Sequence, residues 1–171
     1  MNNRIRETRV GRMTLSAMIA ALYAAAALLL QPISFGTLQL RAAEAFTLLP
    51  VLFPEAVAGV TLGCAISNAI GVATGADVCG VLDIIFGTAA TFAAAVCTRL
   101  LRNVRLRRLP VLSALMPVLF NGAVVGGELA FMLKLPFWLC ALQVAGGEAI
   151  VTLALGLPLT RILEKRLDGR E

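Results

Sequence analysis

Residues 13–40 form a run of 28 positions without a charged side chain, and residues 56–76 form a second of 21. Such runs constrain folding more than any motif does. A helix needs about 20 apolar residues to cross roughly 30 Å of hydrocarbon. Within that layer only helices and closed barrels satisfy their own backbone hydrogen bonds. A barrel strand would show alternation over segments of about ten residues. These runs are continuous, so the chain reads as an all-α integral membrane protein, multi-pass and resident in the cell membrane. Composition agrees: 59% of residues are hydrophobic and 15% charged, against about 45–50% and about 25% in soluble domains. A disordered chain, a disulfide-stapled secreted module and an ordinary soluble globule are excluded.

Five or six crossings of about 20 residues consume about 100–120 residues, which leaves no room for a soluble domain in a chain of 171. The spans read as residues 13–33, 42–53, 55–72, 81–101, 111–133 and 137–163, a six-transmembrane-helix bundle. Residues 1–12 read as a cytoplasmic lead-in, too charged for a clean signal peptide, and residues 164–171 as a cytoplasmic tail. The second span is only 12 residues long. As an α-helix it would rise about 18 Å, too little to cross unaided. Irregular backbone at that depth is tolerated only when buried in protein or lining a cavity. The short span and the outer loop 34–41 therefore suggest a pocket capped near the outer end.

Charge sets the orientation. Three clusters hold 13 of the 15 basic residues. They are Arg4, Arg6, Arg9 and Arg12; Arg99, Arg102, Arg105, Arg107 and Arg108; and Arg161, Lys165, Arg166 and Arg170. Placed together in the cytoplasm, they obey the positive-inside rule, put both termini inside and require an even number of crossings. Topology thus accounts for the net charge of +5, and no nucleic-acid partner is expected.

Catalytic signals are lacking. The chain has no His, and Cys64, Cys79, Cys97 and Cys140 are scattered without paired spacing. No metal site or cofactor is expected, and the cysteines read as small packing residues. No phosphate-binding loop precedes either lysine, so the chain does not read as an enzyme. If ATP powers it, another subunit hydrolyses the ATP.

The informative residues are polar groups inside apolar spans, each costly without a partner. They are Glu44, Asn68, Asp83, Asn121, Glu128, Gln143 and Glu148, with Gln39 and Arg41 in the first outer loop. Asn121 and Glu128, seven apart, share one helix face. Four acids stand against at most two bases, Arg41 and Lys134, which suits a ligand that is cationic or rich in N–H donors. Internal pairing of Arg41 with Glu44, and of Lys134 with Glu128, is the structural alternative. On the first span, Ser16, Ala20 and Ala24 line one face and Ala17, Ala21 and Ala25 the next. Small residues so spaced let helices approach closely, either within the bundle or against another protein.

The strings PISFGTLQLRAAEAFTLLPVLFPEAVAGVTLGCAISN, GVLDIIFGTAATFAA, PVLFNGAVVGGELAF and LPFWLCALQVAGGEAIV resemble the QueT queuosine-precursor transporter family. Those proteins are substrate-binding (S) components of energy-coupling factor transporters. The resemblance runs from about residue 16 to residue 163 and implies a six-helix bundle that captures a 7-deazaguanine base or queuine from outside the cell. It also implies a transmembrane coupling subunit and two cytoplasmic ATPase subunits as partners, and it carries the family's docking motif onto Ala17, Ala20, Ala21, Ala24 and Ala25. A guanine-like edge presents N1–H and an exocyclic NH2 that one carboxylate can accept together, and an aminomethyl ammonium would want a second acid. On that reading Glu128 and Glu148, with Asn121 and Gln143, lead the candidates. Glu44 and Asp83 follow, with Arg41, Gln39 and Asn68 beside them. Trp138, near the outer lip, either stacks on the base or anchors the interface. An S component for another vitamin-like molecule, and a structural or assembly membrane protein, are the competing readings.

Overall fold

Each long charge-poor run becomes a helix. The computed structural model describes residues 8–35, 40–106 and 109–169. In chain order it contains α1 (Arg9–Leu29), α2 (Gln31–Ser34), a 3-10 helix (Ala42–Val51), α3 (Glu55–Ala73), α4 (Val81–Leu100) and α5 (Val111–Leu133). Then come α6 (Phe137–Val151), a π-helical turn (Thr152–Gly156) and α7 (Leu157–Asp168), which together form one long rod.

Among the described residues five helices are long and apolar enough to cross a membrane: α1, α3, α4, α5 and the rod Phe137–Leu167. The second of the six expected spans is instead the 3-10 helix of 10 residues. At about 2.0 Å per residue it rises about 20 Å. It does not face lipid. Ala43, Glu44, Ala45 and Thr47 to Val51 are all buried, and the element touches every one of the membrane-length helices.

Local chemistry sets the ends. The Thr8 hydroxyl accepts from the Gly11 N–H at 3.0 Å and starts α1, four residues ahead of the expected residue 13. Lys134 closes α5 in the left-handed region, φ 54°, and the Leu135 N–H donates back to the Ala130 carbonyl at 3.1 Å. Pro136 then suits the start of α6. Close helix approach relies on missing side chains. A Cβ on Gly63 would lie 2.7 Å from the Cβ of Tyr23, and one on Gly126 would lie 2.5 Å from the Cα of Ala141. These contacts lock α1 to α3 and α5 to α6.

Two ends result. Arg9 and Arg12 share a groove with Pro54 and Glu55, Arg99 reaches the carbonyls of Pro50 and Val51, and Arg105 pairs with Glu164 at 2.6 Å. This is the basic end. At the other end the Val78 N–H donates to the Phe35 carbonyl at 3.3 Å, and the Gln31 amide reaches the Thr74 hydroxyl at 3.3 Å. The buried acids gather toward this second end.

Candidate functional site

The cluster begins where the 3-10 helix begins. Arg41, at its N-cap, is buried and donates through Nη2 to Asp83 Oδ2 in the first turn of α4. The guanidinium also lies over the Phe35 ring, 5.4 Å from its centre. Asp83 has space because Gly87 follows one turn later: a Cβ there would fall 1.8 Å from Asp83 Oδ1. Asn68 on α3 ties the same turn down, donating to the Asp83 carbonyl at 2.8 Å.

This pairing corrects the expected contact between Arg41 and Glu44. Arg41 has extended backbone, so its side chain leaves the helix face instead of lying one turn from Glu44. Glu44 accepts from the hydroxyls of Tyr23 and Thr91. The contact between Lys134 and Glu128 is corrected too. Among the described residues the ion pairs are Arg41–Asp83 and Arg105–Glu164. Six residues carry Lys134 well round the helix from Glu128, and Lys134 is exposed at the hairpin.

Two further acids complete the set. On α6, Glu148 Oε1 accepts from Asn121 Nδ2 at 2.9 Å, and Glu44 is an acidic neighbour. On α5, Glu128 is 8% exposed; its carboxyl lies against that of Asp83, and no hydroxyl, amide or guanidinium donates to either oxygen. Its electrostatic neighbours are Asp83, Arg41 and Asp77. Glu128 also lines a cavity of about 300 Å3 between α4 and α5, with Leu82, Phe86, Val124, Gly127 and Phe131.

The loop 74–80 adds Asp77. Its Oδ1 accepts from the Cys79 N–H at 2.8 Å and the Gly80 N–H at 3.3 Å, and it lies against Asp83. Burial, then the charge of Asp83, pushes its carboxyl up to about 6, with Arg41 opposing. Burial and the nearby acids push the Cys79 thiol up to about 12.

The carboxylate and amide oxygens left without a partner around Arg41 have one sign of chemistry. They are Oε2 of Glu44 and Glu148, Oδ1 of Asn68, Asp83 and Asn121, Oδ2 of Asp77 and both oxygens of Glu128. All are acceptors. The donors left over are Arg41 Nε, on a group that already serves Asp83, and the hydroxyls of Ser34 and Thr88.

The other candidates are placed differently. Gln143 is half-buried on α6, and five residues turn it away from the Glu148 face. Trp138 is 74% exposed and meets Phe137 edge-on, ring centres 5.1 Å apart, outside the acid cluster. Gln39 lies outside the described residues. Of the alanines, Ala20 and Ala24 are buried in the bundle, whereas Ala17, Ala21 and Ala25 form an exposed strip. Sequence reading missed Tyr23, Thr91, Asp77, Phe86 and Phe131. Tyr23, the only tyrosine, set among alanines in mid-span, was the one signal available.

A family model described as QueT transporter matches residues 13–165. The chain belongs to the QueT transporter family. No curated protein and no solved structure matches it. Membership, with five membrane-length helices, makes this QueT protein a multi-pass integral membrane protein whose role is transport rather than catalysis.

Proposed function

We propose that this QueT family member is the membrane substrate-binding component of an ATP-driven energy-coupling factor importer, and that it captures a queuosine precursor, a 7-deazaguanine base or queuine. One observation carries the reading: among the described residues, unpartnered carboxylate and amide oxygens crowd around Arg41, a cation already committed to Asp83. Intramembrane acids are retained for function far more readily than for stability. A guanine-like edge supplies the missing partners, since its N1–H and NH2 donate side by side. The Glu148 carboxylate and the Asn121 amide, bonded to each other, each keep a free oxygen for that edge.

The partner subunits follow from the same reading. The basic end faces the cytoplasm by the positive-inside rule, which turns the acid cluster outward. The exposed strip of Ala17, Ala21 and Ala25 suits close contact with a helix of a transmembrane coupling subunit. Two cytoplasmic ATPases then supply the energy.

Ligand titration of the purified protein tests the substrate class. Guanine-edged 7-deazaguanines should bind, and an analogue lacking the exocyclic amine should bind about tenfold to hundredfold more weakly, the cost of a buried charged acceptor left unpaired. Equal binding of the two sinks this reading of the edge. Binding of an unrelated vitamin instead points to the alternative S component.

A further inference from the structure

The basic end holds a groove whose charges the proposed function does not use. Its cavity of about 790 Å3 lies between α1 and α3, within the size of small-molecule sites, about 300–1,000 Å3. On α1 its wall is Arg9, Arg12, Met13 and Ser16, spaced along one helix face. Ala17 lines it too and begins the proposed docking strip. On α3 the wall is Glu55, Ala58 and Leu62, likewise on one face. The Ser16 hydroxyl donates to the Glu55 carbonyl at 2.8 Å, which ties the two walls together.

Charge changes along the groove. Arg9 and Arg12 are exposed, and among the described residues neither side chain is in an ion pair. Across from them on α3, Glu55 keeps a buried oxygen, Oε2, without a hydrogen-bond partner. Arg99 feels the charge of Glu55 but donates to the Pro50 and Val51 carbonyls instead. Leu62 follows Glu55 by seven residues, two turns along the same face and about 10 Å farther into the membrane. Leu62 is 53% and Met13 72% exposed, so the apolar part of the groove opens on the bilayer. Two guanidiniums, one carboxylate and an apolar trough suit a single molecule. Its phosphate meets the arginines, a primary ammonium meets Glu55, and an acyl chain runs past Leu62. A quaternary ammonium has no N–H to give Oε2, and a purely anionic headgroup meets the like charge of Glu55.

We infer that this groove is a seat for a phospholipid of the cytoplasmic leaflet whose phosphate is followed by a primary ammonium, as in phosphatidylethanolamine. The seat lies at the end of the bundle away from the acid cluster and does not depend on which substrate is captured. Contact with a partner helix through small residues needs none of these charges, whereas the lipid uses each of them.

The test titrates phosphatidylethanolamine, phosphatidylcholine and phosphatidylglycerol of matched chains into the full chain in detergent, with bound lipid read by native mass spectrometry. Phosphatidylethanolamine should bind about tenfold more tightly than phosphatidylcholine, the difference one charge-assisted contact makes, and more tightly than phosphatidylglycerol. Glu55→Gln should remove the preference over phosphatidylcholine. Arg9→Gln combined with Arg12→Gln should weaken all three lipids by about tenfold. Ala58→Phe, at an exposed wall position, should fill the trough and displace all three, and it serves if the Glu55 variant fails to fold. Phosphorylethanolamine, the headgroup without chains, should not compete. Equal binding of phosphatidylethanolamine and phosphatidylcholine by the wild type overturns the inference, as does a preference for phosphatidylglycerol. So does a preference that survives Glu55→Gln, or lipid binding that survives Ala58→Phe. Effective competition by phosphorylethanolamine would make the groove a site for soluble phosphate esters and overturn the lipid seat. Uptake lost in the double arginine variant with lipid binding unchanged would give the groove to a partner subunit and overturn it equally.

Discussion

The two ends of the bundle treat buried polarity differently. At the basic end most buried donors and acceptors match, Glu55 Oε2 being left over. Thr98 and Ser113 exchange hydrogen bonds with each other's carbonyls at 3.1 and 3.2 Å. Arg99 donates at 3.0 and 3.2 Å to the Pro50 and Val51 carbonyls that end the 3-10 helix. At the acidic end carboxylates gather around one guanidinium, and several of their oxygens lack a partner. Matched groups hold helices together. Unmatched acceptors of one kind hold a place for donors from elsewhere.

The largest effect should separate two arginines. Arg41→Met leaves Asp83 buried without a cation, which costs about 3–5 kcal/mol and should lower the unfolding midpoint in detergent sharply. Arg99→Met removes bonds from a partly exposed side chain and should cost about 1.5 kcal/mol, the low end for a charged donor. Equal losses would erase the contrast between the ends.

A smaller effect should divide the alanines of α1. Ala24→Leu overpacks a buried position, at about 1–3 kcal/mol, and should reduce stability. Ala21→Leu, on the exposed strip, should leave stability and ligand binding intact while abolishing uptake in cells that carry the partner subunits. Normal uptake by that variant would move the docking face elsewhere.

The smallest effect concerns Asp77, whose carboxyl is pushed up from its usual 3.8 to about 6. The folded protein holds that proton more tightly than the unfolded chain does. Its contribution is therefore full below about pH 4 and is lost as pH rises through about 6. Unfolding midpoints of Asp77→Asn should decline less over that range than those of the wild type. Parallel curves would show that Asp77 does not titrate against Asp83.

The long helices were legible because hydrocarbon tolerates so few charges. α5 occupies residues 111–133 as expected, α4 stops one residue short, and the final rod outruns residue 163 because its polar last turns continue beyond the apolar stretch. The burial of Glu44, Asp83, Glu128 and Glu148 was legible for the same reason. Winding was not, since hydropathy carries no record of whether a carbonyl in 42–51 bonds three or four residues on. Partners were not legible either. Arg41 finds Asp83 across 42 positions and Glu44 finds Tyr23 across 21, and such distances leave no local pattern. Phe86 and Phe131 read as two apolar residues among many until the cleft placed them beside Glu128.

A 3-10 helix is a stretched one. The 10 residues from Ala42 to Val51 rise about 2.0 Å each, against about 1.5 Å in an α-helix, so the same segment wound as α would be about 5 Å shorter. Arg99 pins its far end at Pro50 and Val51, while Arg41 at the near end grips Asp83. Rewinding would thus become axial travel of the cation, drawing Arg41 off Asp83 by about one helical pitch. No long helix would need to tilt, and the bilayer-facing surface of the bundle would register nothing.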